Sequence, residues 1–128
     1  MKSILKEMLN SKNTLMELTL DLTFIKEISD DDQEFINDVL NTFLAEMPKD
    51  ILQMNQAAAN QDIVMIGRVA HKTKSTLQTL GLFELKELAL KIEQLAKTTP
   101  SDVSIIPLSQ QFMGHIDGVY PNVKNLIK

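Results

Sequence analysis

Apolar residues recur every three or four positions through most of this chain, a period that predicts helices rather than strands. Phe35, Ile36, Val39, Leu40, Phe43, Leu44 and Met47 form the first long stripe. Ser29-Asp30-Asp31-Asp32 precedes it and supplies cap candidates and acids for the positive end of a helix. The stripe resumes beyond Pro48, through Ile51, Leu52, Met54 and Asn55 to Ala59, so the proline is expected to kink this helix rather than end it. Gln61-Asp62 marks a turn and a cap. A second helix is predicted from about Ile63 to Leu80, closed by Gly81. A third runs from about Leu82 to Ala96 on a stripe of Leu85, Leu88, Ala89, Ile92 and Leu95, and Thr98-Thr99-Pro100-Ser101-Asp102 reads as a loop. The last helix is expected from about Pro107 or Leu108 to the end, with Leu108, Phe112, Ile116, Val119, Val123 and Ile127 on one side. Gly114, Gly118 and Pro121 weaken it.

Before these, Asp21 or Thr23 is expected to cap a short helix through Ile28, and Ile4, Leu5, Met8 and Leu9 show helical spacing over Ser3–Asn10. Four amphipathic helices with short connections are most simply satisfied by an all-α, antiparallel up-down-up-down four-helix bundle, here with one or two short additional N-terminal helices. On this reading residues 21–128 form the bundle and residues 1–20 an extension or linker.

Composition sharpens the picture. At 128 residues the chain suits one domain, and four glycines and four prolines are too few for the tight turns of an all-β sandwich. The absence of cysteine excludes disulfides, thiolate metal sites and thiol nucleophiles. A net charge of −4 argues against a large basic surface for nucleic acid. No apolar run approaches the roughly 20 residues of a membrane span, and Met1–Glu7 does not read as a signal peptide. A cytoplasmic, monomeric protein is the simplest expectation.

The second helix carries the chemistry. Its core stripe is Ile66, Val69, Ala70, Thr73, Leu77 and Leu80. Gly67, His71, Lys74, Ser75 and Gln78 stack on a neighbouring face, which is polar, carries small residues on either side of the histidine and holds no acid. A neutral imidazole, with a reference pKa of about 6.5, is a competent nucleophile near neutrality. Lys74, one turn on, can offset the charge of an arriving phosphoryl group. Ser75 and Gln78 can hydrogen-bond phosphoryl oxygens or a partner, and Arg68 and Lys72 flank the face as a basic patch. From spacing alone, however, a single histidine among lysines reads as a solvated surface residue.

The segment Ala70-His71-Lys72-Thr73-Lys74-Ser75-Thr76, with Gly81 ten residues after the histidine, resembles the signature of histidine-containing phosphotransfer domains. The resemblance extends from about Leu22 to Ala96 and takes in Leu22–Ser29 with Asp32, Phe35 and Ile36, and Glu84–Ala89 with Ile92-Glu93. It implies a helical bundle in which His71 is phosphorylated on Nε2, Lys74 assists, and Gly67, Arg68, Lys72, Ser75 and Gln78 meet the receiver domain of a response regulator or hybrid sensor kinase. It implies a phosphorelay intermediate between receivers, with any magnesium belonging to the receiver and no cofactor of its own. Thr73 departs from the commoner leucine at the core boundary, and Ser75 stands where glycine is frequent.

No glycine-rich phosphate loop is present, so ATP binding and kinase activity are not expected. A di-iron bundle would need Glu-x-x-His pairs; Arg68 and Phe112 stand three residues before His71 and His115, and no metal site is expected. His115 reads as structural or surface, and Met47, Met54 and Met65 as core filler. The rival to a relay is a helical module that binds a receiver or another signalling protein without transferring phosphate.

Overall fold

The computed structural model describes residues 20–128, which form five helices: α1 (Thr23–Ser29), α2 (Gln33–Ala59), α3 (Ile63–Thr79), α4 (Phe83–Thr98) and α5 (Ile105–Leu126). The expected helical stretch over Ser3–Asn10 lies outside the described residues. Each boundary has a local cause. The Asp21 carboxylate accepts from the Thr23 amide at 3.0 Å and opens α1. Asp32 caps α2 through the Glu34 and Phe35 amides, and Asp62 caps α3 through the Met65 amide at 3.1 Å. At the end of α3, the Gly81 and Leu82 amides turn back to the Gln78 and Leu77 carbonyls, with Gly81 at φ +71°. Glycine is required there for a second reason: a Cβ would lie 2.3 Å from the Asp21 carbonyl oxygen, where the lead into α1 crosses.

Helices α2 to α5 close a ring in which α2 packs on α3, α3 on α4, α4 on α5 and α5 on α2. The short connections make neighbours antiparallel, as the pattern predicts. The core is drawn from all of them, with Leu40, Phe43, Ile66, Leu77, Leu85, Ile92, Phe112 and Ile116 buried, and Ile25 of α1 joins it.

Two expectations change in detail. Helix α2 does run through Pro48, but Leu52 is 58% exposed; the buried series is Ile36, Leu40, Phe43, Met47, Asp50, Met54 and Ala57, and Leu52 lies two positions from its nearest members. Helix α5 is one continuous element that starts earlier than expected, at Ile105. Gly114 and Gly118 fall on its exposed side, while Ile105, Phe112, Ile116, Val119 and Val123 are buried. Packing of that face outweighs the weak helix propensity of the glycines. Asp102 fixes the start of α5 by accepting from the Ser104 amide and hydroxyl at 2.8 and 2.6 Å.

Candidate functional site

Helix α3 presents His71 to solvent, with its side chain 67% exposed. The helix buries Ile66, Val69, Ala70, Thr73 and Leu77, and this orients the face beside them outward. Thr73 is buried, and its hydroxyl is satisfied by the Ala70 carbonyl at 2.9 Å. Gly67 lets α4 come close, because a Cβ there would lie 2.8 Å from the Cβ of Ala96. That close approach brings α4 side chains to the histidine.

The decisive one is Glu93. It is only 3% exposed, and its carboxylate contacts His71 Nδ1, Lys74 Nζ at 2.6 Å and Lys97 Nζ at 3.3 Å. Burial alone would push this carboxyl up. The hydrogen bonds from Lys74, Lys97 and His71, with the Lys74 charge, outweigh burial and hold its pKa down at about 2. Glu93 is therefore ionised at neutral pH and can only accept hydrogen bonds. The nitrogen facing it must carry the hydrogen, so a neutral His71 has its proton on Nδ1 and its lone pair on Nε2.

The lysines flanking His71 divide. Lys74 is largely covered, with 23% of its side chain exposed, and stays beside the ring through the shared carboxylate. An ammonium has three donors, so its bond to Glu93 leaves two for an incoming anion. Lys72 turns the other way: its Nζ lies 2.8 Å from Asp50 Oδ1 on α2. That hydrogen bond and the Asp50 charge raise the Lys72 pKa above the ordinary lysine value. The structure thus places Lys72 beside His71 in sequence but commits its ammonium to another helix.

Two clefts meet at His71. One, of about 550 Å³, is walled by Val64, Gly67 and Ala96 and rimmed by Arg68 and Lys97. The other, of about 650 Å³, is lined by Lys72, Lys74, Ser75, Gln78, Lys86 and Leu90. All seven site residues expected from sequence line one or other cleft. Gln78 lines the second cleft, but its Oε1 is buried without a hydrogen-bond partner. His115 lies apart on α5.

Sequence reasoning did not assign roles to Glu93, Lys97 or Asp50. A signal for both acids exists. Glu93 continues the buried series Leu85, Ala89, and Asp50 sits between Met47 and Met54, so each carboxylate occupies an apolar position of its own helix. An acid on the apolar stripe must find a cation on a neighbouring helix.

Among the described residues no group of three or more His, Asp or Glu side chains is placed to hold a metal ion, and no helix is long and apolar enough to cross a membrane. A family model described as Hpt domain matches residues 38–123, more than half of the chain and including α3 and α4 whole. Neither the curated proteins nor the solved structures compared with the chain gave a match.

Proposed function

For a chain that belongs to the Hpt domain family, whose members carry phosphoryl groups between two-component signalling proteins and are not kinases, we propose that His71 is the phosphoacceptor of a phosphorelay intermediate. The observation that carries this reading is the contact of His71 Nδ1 with an ionised, buried Glu93 on an otherwise exposed ring. It leaves Nε2 as the free nucleophilic nitrogen. Nε2 attacks the phosphorus of a receiver's aspartyl phosphate; the P–N bond forms, the P–O bond breaks, and the aspartate leaves as a carboxylate. Glu93 opposes the positive charge that builds on the ring, and Lys74 donates to the phosphoryl oxygens. The reverse sequence hands the group to a second receiver.

Family members interact with receiver domains. Here the docking face is the pair of clefts around His71, where Val64 and Gly67 offer a low apolar wall, Arg68 and Ser75 offer donors, and Gln78 lines the floor. Its basic character complements a receiver's acidic pocket and speeds encounter.

The test is to mix the full chain with a phosphorylated receiver, with His71→Gln as control, and follow the label. Transfer to the natural chain alone, as an acid-labile and base-stable adduct, supports the relay. Intact folding and receiver binding, with no label moving from any of several receivers, would instead identify a binding module that does not transfer phosphate. Lys74→Ala is expected to slow transfer without unfolding the bundle. Ser75→Leu is expected to obstruct docking by bulk.

A further inference from the structure

Asp50 is a carboxylate in an apolar position, 7% exposed, midway along α2. Such a group is costly to bury unless it is paired. Its partner is Lys72, which follows His71 directly and lines the same basic cleft. Helix α3 thus carries two lysines around the histidine, and each is held by a carboxylate from a different neighbouring helix. The consequences differ. Glu93 touches both Lys74 and His71, so it keeps Lys74 at the ring. Asp50 faces a separate groove with Phe43, Met47 and Thr76, so its bond draws the Lys72 ammonium away from the ring.

We propose that Asp50 is a positioning residue that withdraws Lys72 from the phosphoryl group on His71 and thereby sets how far transfer equilibrates toward phosphohistidine. This inference rests on the relay reading. In the exchange the aspartyl P–O bond breaks as the Nε2–P bond forms, so the same phosphoryl dianion moves between two protein surfaces. A second ammonium at His71 would stabilise the histidine-bound form and hold back onward transfer. With Lys72 tethered, Lys74 remains as the α3 lysine at the ring. A merely structural ion pair would affect melting but not the partition of phosphate.

The test uses the full chain and a receiver that labels it. Label is allowed to equilibrate, and its partition is measured for the natural protein, Asp50→Asn, Lys72→Gln and the double variant. Freeing Lys72 is expected to move the partition about two- to fivefold toward phosphohistidine, the range of an exposed ionic interaction. In the Lys72→Gln background, Asp50→Asn is expected to have no such effect. The partition is an equilibrium quantity, so altered docking rates do not move it. Asp50→Leu, which restores the apolar period, serves as the second variant should the asparagine form melt early. An unchanged partition in a folded Asp50 variant, or the same shift with and without Lys72, overturns the inference while leaving the relay intact. Failure of every receiver to label the natural chain removes the relay reading and this one with it.

Discussion

A methyl group added at Gly67 would land 2.8 Å from the Cβ of Ala96, whereas unstrained carbons sit about 3.5–4.0 Å apart. Neither atom is the end of a flexible side chain, so relief requires α3 and α4 to part by roughly 1 Å. Two opposing magnitudes set the outcome of Gly67→Ala. Alanine favours the helix by about 1 kcal/mol over glycine, while overpacking a tight interface costs about 1–3 kcal/mol. The net expectation is a loss of about 1 kcal/mol, or about 4 °C in melting temperature for a domain of this size. The functional loss should be larger. His71 lies one turn after Gly67 and Glu93 one turn before Ala96, so the parting falls on the contact that orients the ring. A 1 Å misplacement can cost up to ~100-fold in rate, and at least a tenfold slower phosphotransfer is expected here. Thermal melting and transfer from a labelled receiver measure the two effects. Adding Ala96→Gly removes the opposing methyl and should restore most of the transfer rate. A single variant that is more stable than the natural protein and transfers normally would refute the idea that this approach is tight, and with it the argument for how α4 reaches the site.

Three further outcomes follow from features already described. Because the folded Glu93 carboxyl is held at about 2 against an ordinary 4.5, its stabilisation is complete above about pH 4.5 and is lost as pH falls toward 2; melting temperature against pH should decline through that window and flatten there in Glu93→Gln, and an equal decline in both would remove Glu93 as its source. Gly81→Ala forces a side chain into a left-handed conformation costing about 1–2 kcal/mol and drives its Cβ against the Asp21 backbone; a loss of more than about 2 kcal/mol in urea unfolding is expected, and a neutral result would contradict the described crossing of Asp21. Tyr120, the one tyrosine in the chain, buries an unpartnered hydroxyl, and burial, with Asp117 and Asp50 nearby, pushes its pKa up to about 12. Its ultraviolet titration should show that midpoint, and Tyr120→Phe should be neutral or stabilising by up to about 1 kcal/mol, whereas a clear loss would mean the hydroxyl has a partner.

The long helices were legible because their apolar residues report burial directly: Ile66, Val69, Ala70, Thr73, Leu77 and Leu80 are the buried side of α3 as the period predicts. The resemblance around His71 pointed to the family, which the Hpt match shows. What escaped were contacts between helices. Glu93 stands 22 residues from His71, and Asp50 is as far from Lys72. Nothing local marks either pair beyond an acid in an apolar position. The phase of α2 after Pro48 also differs from the one its composition suggests. Ile51 and Leu52 look like core by composition, but Met47, Met54 and Ala57 set the buried face of α2, which half-buries Ile51, leaves Leu52 exposed and turns Asp50 inward, where Lys72 meets it. Propensity likewise understated α5, whose regularity comes from tertiary packing.

The close pairing of α3 with α4 also bears on how the molecule acquires its site. His71, Lys74, Glu93 and Lys97 all belong to one αα-hairpin joined by the Leu80–Leu82 turn. Contacts over such short stretches of chain close quickly and at low entropic expense. The charged cluster can therefore form during folding before α2 and α5 complete the ring. The C-terminus lies close to the start of α2, where the Asn37 side-chain amide donates to the Lys128 carbonyl at 3.0 Å. Leu20 and Leu126 line one cleft, so a circular permutant that joins Lys128 to Leu20 by a short linker and opens in the 99–104 loop would carry the whole hairpin uncut and should retain the site in a rewired chain.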